Sequence, residues 1–334
     1  MNDAISSATS GTISGAMNGE HSVTVVIPTY NCEKYIAQTL QGVLAQQVEE
    51  LEVLVVDDGS TDGTQAIVQQ HDSRVRWVAQ ANAGVSRARN HGIELARGRY
   101  ICLLDHDDWW TPHKLRRQLR AMDEHPEAGV VYSTWVVWRQ LASNAADAPF
   151  PEPGSYRIDD VPDDEVAEFS GWVYHQFLLD CWMLTSTSMF RREVFQQHGM
   201  FDETLPFSED WEMWLRLARQ VPFVQLRRPT TLYRMHARQG SGWHRPVDYR
   251  TQLLLRNATE FGLASRDGRA VTQRQFDRQL AVYLADHARA ELLAGRRRVA
   301  VRDFARAWAR HPGRWKYPVY LAAALAGWGG HGRA

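Results

Sequence analysis

The chain has 334 residues, 44% of them hydrophobic, and a formal net charge of −1. That length suits one large domain or two modest ones with a substantial core. The near-neutral balance excludes a global pull toward polyanions. No run reaches the roughly 18–20 apolar residues of a membrane-spanning helix, and the best candidate, Tyr317 to Trp328, is too short.

Residues 1–21 are rich in Ser, Gly, Asn and Ala and are expected to be a disordered lead-in rather than a signal peptide. Val23 to Ile27 reads as a buried strand, Lys34 to Gln46 as a helix, and Leu51 to Val56 as a second strand, the order and length of a parallel crossover. Thr64 to His71 predicts a helix, Val75 to Ala79 a strand, Val85 to Arg97 a helix stopped by Gly98, and Tyr100 to Leu104 a strand. The alternation predicts an α/β fold, a doubly wound and mostly parallel sheet with helices on both faces. In such sheets ligands bind beyond the carboxyl ends of the strands, where this chain places Thr29-Tyr30-Asn31, Asp57-Asp58 and Asp105-His106-Asp107-Asp108.

Further on, Gly129 to Trp138 predicts a strand and Ser143 to Glu168 an exposed excursion. Thr185 to Phe190 reads as a strand followed by a short helix to Gly199, and Glu209 to Gln220 as a helix with Trp211, Trp214, Leu215 and Ala218 on one face. Phe223 to Leu226 and Thr230 to Met235 read as two short strands, and the pattern is helical from about Val247. Residues 266–334 hold 14 Lys and Arg against 5 Asp and Glu, a balance of +9. The cysteines, Cys32, Cys102 and Cys181, are far apart and imply neither a disulfide framework nor a zinc site.

Three carboxylates within Asp105–Asp108 repel one another, and a divalent cation relieves the repulsion. Oxygen ligands at a strand end suit Mg²⁺ or Mn²⁺, which can also bridge two phosphates. The bland alternatives are an exposed acidic turn or a helix N-terminus with Asp108 as its cap. In Asp57-Asp58-Gly59-Ser60-Thr61-Asp62-Gly63-Thr64 the glycines allow tight turns, and a carboxylate there can accept from a ribose or a base N–H; a plain strand-to-helix turn is the alternative.

Ile27–Asn31, Asp57–Thr64, Asn82-Ala83-Gly84 with Ala88-Arg89-Asn90, and Asp105–Asp108 together resemble family-2 glycosyltransferases in order and spacing. The resemblance implies a nucleotide-binding fold of the GT-A type and inversion at the anomeric carbon. Carried over by position, Thr29, Tyr30, Asp57 and Asp58 would hold the nucleoside, with Asp58 at the base edge. Arg89 would supply a basic donor contact, Asp105 would face the ribose, and Asp107 and Asp108, with Asp105, would hold the Mn²⁺ or Mg²⁺. His106 has no assigned role. Glu209-Asp210 resembles the family's second acidic motif, in which Asp210 is the general base for the acceptor hydroxyl; the alternative is two acids at a helix N-terminus. Arg234 and His236, in Tyr233–His236, are candidates to bind the departing diphosphate. Trp109, Trp110, Trp211 and Trp243 are candidate sugar platforms, Trp211 foremost, although most tryptophans are core residues.

These readings predict a lead-in over 1–21, a GT-A-type domain over 22–245 (donor half 22–140, acceptor half 141–245) and a helical region over 246–334. The expected partners are a nucleotide-diphosphate sugar and a glycan or glycolipid acceptor of cell-surface polysaccharide or glycolipid synthesis, with no nucleic acid. The expected location is cytoplasmic, with peripheral contact at the inner membrane face through the basic C-terminal helices; a solvated helix face is the weightier reading of that region. The rivals are a nucleotidyltransferase and a non-catalytic nucleotide-sugar-binding module. A dinucleotide-dependent oxidoreductase is disfavoured because no G-x-G-x-x-G follows the first strand.

Overall fold

The structure, a computed structural model, describes residues 22–140, 149–158, 160–236, 239 and 246–327. The expected lead-in over 1–21, part of the 143–168 excursion and Trp243 lie outside the described residues.

Four strands form the parallel half of one sheet: β1 (Val23–Thr29), β2 (Leu51–Asp57), β3 (Val75–Ala79) and β4 (Tyr100–Leu103). They are ordered β3-β2-β1-β4 and joined by helices α1 (Ile36–Leu44), α2 (Thr64–Gln69) and α3 (Val85–Leu95). β1 and β2 are buried along their whole length, which is why they read as continuous apolar runs rather than alternating ones.

The second half departs from the simple alternation. β7 (Met189–Arg191) pairs antiparallel with β4 and with β6 (Val130–Arg139). β6 runs parallel to β8 (Phe223–Met235), and β5 (Trp109–Trp110) closes the edge antiparallel to β8. The sheet is therefore mixed. The expected pair of strands at 223–226 and 230–235 is one strand, with a register shift between Ser133 and Trp135 of its partner β6. Helix α4 (Lys114–Glu124), which the sequence reading did not predict, covers the sheet between β5 and β6. The short helices α5 (Tyr174–Phe177) and α6 (Arg192–His198) precede α7 (Glu209–Leu217), whose Trp211, Trp214 and Leu215 share one face, as expected, and that face is buried; Ala218 lies just past its end.

A helical region follows, made of α8 (Tyr249–Phe261), α9 (Gln273–Leu293), α10 (Arg297–Arg310) and α11 (Lys316–Ala326). Leu254, Phe276, Leu280 and Tyr283 of α8 and early α9 join the core beneath the sheet. Late α9, α10 and α11 enclose a smaller core of their own around Phe304 and Tyr317.

Helix α3 lies close on β1 because Gly92 lacks a side chain: a Cβ there would stand 2.2 Å from Val26 Cγ1. Helix propensity alone would favour Gly92→Ala by about 1 kcal/mol. Overpacking opposes it by roughly 1–3 kcal/mol. Urea denaturation is expected to show a net loss for Gly92→Ala, and a gain would mean that α3 packs less tightly than this.

Candidate active site

The carboxyl ends of β1, β2 and β4 open on one edge of the sheet. Thr29 is buried there, and its hydroxyl donates to Ile27 O (3.3 Å). Tyr30 is 48% exposed and is the accessible aromatic ring of this loop. The next turn is fastened to the β2 loop: Asn31 N donates to Ser60 Oγ (2.9 Å), Thr61 N to Asn31 Oδ1 (2.8 Å), and Gly63 N to Glu33 Oε2 (2.8 Å).

Asp57 and Asp58 are both buried and both bonded within the chain. Asp57 accepts from Ser60 N and Oγ, closing the turn in which Gly59 takes a φ of 82°. Asp58 accepts from Gln80 Nε2, Ala83 N and Gly84 N, each at 2.8 Å. It thereby fixes the loop that leads into α3. A carboxylate has about four acceptor positions, so Asp58 retains capacity for a base N–H.

The carboxylates of the Asp105–Asp108 turn have three different fates. Asp105 is partly exposed and bonds Arg89 Nη2 (2.9 Å). Asp107 is mostly buried, and its Oδ2 lies 2.9 Å from His236 Nε2. Asp108 is fully buried; its Oδ2 accepts from Ser186 Oγ (2.6 Å) and its Oδ1 from Arg234 N (3.0 Å). Burial would raise the Asp107 carboxyl, but the bond to His236 and the His106 and His236 charges pull it below the ordinary range. Burial, with Asp107 and Asp105 close by, drives Asp108 well above it.

Of the three carboxylates expected to hold a cation, geometry leaves Asp107 disposed to do so. Asp108 has both oxygens committed to the fold, and Asp105 faces an arginine. His236, expected only as a diphosphate contact, stands beside Asp107, and its buried Nδ1 has no hydrogen-bond partner among the described residues. That nitrogen lies across the ring from the Nε2 that meets Asp107, so it is open to a polar partner of its own, whereas a cation shared by Asp107 and His236 would have to take the place of the Nε2 contact. A carboxylate with phosphate and water oxygens suits Mn²⁺ or Mg²⁺, and an imidazole nitrogen in the same sphere would suit Mn²⁺ better than the harder Mg²⁺. Among the described residues no cluster of three or more such side chains forms a closed metal cage.

Arg89 sits differently from the expected donor contact. It is buried, with Nη1 on Glu209 (2.8 Å), Nη2 on Asp105 (2.9 Å), and its guanidinium 5.1 Å from the Phe201 ring. It joins the first acidic motif to the second. Asp210, the next residue along α7, has one oxygen on Trp211 N (2.7 Å). Burial, then Glu209, push its carboxyl up to about 7, against the pull of Arg89. A carboxylate with that affinity can take up and release a proton near neutral pH.

Arg234 is also buried. Its side chain donates to Asp107 O and to Gln38 Oε1 (2.8 Å), and it lies 4.0 Å from the Trp138 ring, 4.7 Å from Phe150 and 4.8 Å from Tyr35. In this arrangement it clamps the Asp107–Asp108 turn rather than facing an open site. Trp211 and Trp110 are core residues, with indole N–H groups on Phe177 O (2.8 Å) and Ser186 O (2.7 Å). Neither presents a face to a sugar. Trp109 is half-buried against Gly42. The sequence reading missed Ser186, Gln38 and the aromatic enclosure of Arg234, because no local pattern marks residues that meet only across the fold.

A mixed sheet with acidic clusters at its strand ends and a second acidic pair at the start of a facing helix is the arrangement of a GT-A-type fold. Residues 24–148 match the family model for glycosyl transferase family 2, so the chain carries a glycosyl transferase family 2 domain. The crystal structure of S. aureus TarS 1–349 in complex with UDP-GlcNAc superimposes with a TM-score of 0.59, covering 92% of each chain at 19% identity, which speaks to fold alone. Chondroitin synthase from Escherichia coli is 31% identical over 210 residues, 61% of this chain and 27% of its own length. The putative teichuronic acid biosynthesis glycosyltransferase TuaG from Bacillus subtilis is 44% identical over 106 residues, 30% of this chain and 42% of its own length. This chain spans less than two thirds of the length of the curated relatives it matches.

Removing Arg89 would leave Glu209 and Asp105 facing each other without their counter-charge. Breaking a buried pair costs about 3–5 kcal/mol, and the partial exposure of Asp105 points to the lower end. Arg89→Met is expected to lose about 3 kcal/mol in chemical denaturation. Adding Asp105→Asn and Glu209→Gln is expected to recover part of that loss. Wild-type stability of Arg89→Met would show that the guanidinium is not the shared counter-charge.

Proposed function

We propose that the protein transfers a sugar from a nucleotide-diphosphate sugar to an acceptor hydroxyl, with inversion at the anomeric carbon and with a divalent cation. The observation that supports this reading is the Asp105–Arg89–Glu209 bridge, which ties the Asp105–Asp108 turn to the helix that bears Asp210.

Thr29, Tyr30 and the loops fastened by Asp57 and Asp58 form the nucleoside end, with the Tyr30 ring available to the base. Asp107 and His236 would hold the cation, which when bound neutralises charge on the diphosphate and eases its departure. Arg234 keeps the Asp107 turn in place. Asp210 accepts the proton of the acceptor hydroxyl as that oxygen attacks the anomeric carbon. Arg89 sets the direction of α7 and hence the placement of Asp210 relative to the donor. Relatives named for chondroitin and teichuronic acid synthesis support a polysaccharide or glycolipid acceptor, which would draw the enzyme to a membrane face.

A panel of nucleotide sugars with Mn²⁺ or Mg²⁺, scored for nucleotide release and product linkage, tests the reading. Diphosphate formation from a nucleoside triphosphate and sugar phosphate would instead indicate a nucleotidyltransferase. Asp210→Asn is expected to keep donor binding, followed by thermal shift, and to lose about 10²–10⁴ in transfer rate; undiminished turnover would remove Asp210 from the role of base.

The base must be unprotonated to act, and Asp210 titrates at about 7. Transfer is therefore expected to fall about tenfold per unit as pH drops below that value and to level off above it. A profile flat down to pH 5 would contradict the assignment. Asp107→Asn is expected to raise the Mn²⁺ concentration needed for half-maximal rate, measured by metal titration; an unchanged titration would place the cation elsewhere.

A further inference from the structure

The C-terminal helices carry a surface that the transfer reaction does not use. Helix α11 turns Tyr317 and Ala324 into the small core it shares with α9 and α10. Its outward side is apolar as well: Val319 is 51% exposed and Leu325 55%, and Trp315, just before the helix, is 69% exposed. Exposed alanines Ala322 and Ala326 fill the stripe between them. An amphipathic helix of a globular protein presents a polar face to water, and this one does not.

Positive charge brackets the stripe at both ends. Arg314 and Lys316 stand at its start, and the Lys316 Nζ lies 5.9 Å from the Trp315 ring. At its far end Arg297 Nε donates to Ala324 O (2.7 Å), tying the first turn of α10, where Arg298 follows, to the end of α11. Arg298, Arg314 and Lys316 are exposed and pair with no carboxylate among the described residues. The wider region carries the +9 balance of residues 266–334. A core-forming partner would be matched by an apolar face alone. An apolar stripe headed by tryptophan and flanked by unneutralised basic residues matches instead the boundary between lipid headgroups and acyl chains.

We propose that α11 and its basic flanks form the docking surface for an anionic lipid bilayer, with Trp315, Val319 and Leu325 entering the interface and Arg298, Arg314 and Lys316 meeting the headgroups. The contact is peripheral: among the described residues no helix is long and apolar enough to cross a membrane. The proposal gives physical content to a lipid-side acceptor, and so rests on that part of the function proposed above. Its measurement does not require transfer activity.

The full chain is sedimented with vesicles of phosphatidylcholine and phosphatidylglycerol, and with phosphatidylcholine alone. Binding is expected with the anionic vesicles, weakened by added salt, and little with the neutral ones. Each basic residue at such a surface is worth about fivefold in partition. The triple variant R298E/R314E/K316E, whose changes are all at exposed positions, is expected to lose on the order of a hundredfold. The double variant V319D/L325D is expected to release the protein from the same vesicles. Equal sedimentation of wild type and both variants would overturn the proposal. So would a wild-type chain that self-associates in gel filtration without lipid and becomes monomeric as V319D/L325D, because the face would then be an interface between copies. Vesicle binding without nucleotide-sugar turnover would leave the docking surface standing and count against the proposed reaction alone.

Discussion

The Arg89 guanidinium, held between Asp105 and Glu209, is the contact on which the candidate site depends. Two acidic segments more than a hundred residues apart converge here, and carboxylates brought together in a poorly solvated cleft repel. One buried arginine with a planar fork of donors can serve both at once, which a lysine could not do with the same geometry. Its own desolvation is offset by two close carboxylates and by the Phe201 ring beneath it. The position of this arginine is in turn set by packing. Gly92 lets α3 settle on Val26, and Asp58 ties the loop at Ala83 and Gly84 from which the helix starts. A glycine and a carboxylate among the first four strands therefore help to set where Glu209 and Asp210 stand on α7.

The Asp105–Asp108 turn shows how one acidic run avoids self-repulsion without spending all its carboxylates on a ligand. Asp108 is buried as a keel, receiving Ser186 Oγ and Arg234 N, while Thr39 Oγ1 lies 2.8 Å from both the His106 and Asp108 carbonyl oxygens. Asp105 is directed to Arg89. Asp107 alone remains at the cleft, beside His236, and Arg234 holds its peptide from behind within three aromatic rings. A cation bound at Asp107 and His236 would enter a site whose backbone is already fixed, which favours binding because little ordering is left to do.

Much of this was legible in the sequence where the signal is local. Buried parallel strands are continuous apolar runs, so β1, β2 and β4 and the acidic clusters at their ends stood out. The amphipathic face of α7 did too. What was not legible depends on distant partners. Met189–Arg191 is too short to announce a direction, and only its neighbours make it antiparallel. Trp211 looked like a platform because it adjoins Asp210, yet a helix residue that faces the core is indistinguishable in local pattern from one that faces a cleft. Arg234 looked like a diphosphate contact because arginine usually seeks anions; its enclosure by Tyr35, Trp138 and Phe150 comes from three segments scattered along the chain. The glutamate and aspartate of α7 read correctly as a pair at a helix start, but nothing nearby shows that the first neutralises Arg89 while the second is left with a proton affinity suited to catalysis.

That difference between neighbours also explains why the helical region is tied to the chemistry and is more than an appendage. The Trp211 ring, adjacent to Asp210, packs edge-on against Tyr283 of α9 at 5.7 Å. The Tyr283 hydroxyl lies within hydrogen-bond reach of Leu179 O (3.0 Å) and Asp180 Oδ1 (2.9 Å) on the segment below and donates its one proton between them. Early α9 thus packs against the apolar side of α7 next to Asp210, and it is burial that raises this carboxyl first of all. The same helix continues into the α9–α10–α11 core. One helix therefore reaches from the neighbourhood of Asp210 to the core beneath α11, so a surface that meets a bilayer through α11 would also fix the orientation of the proposed site toward it.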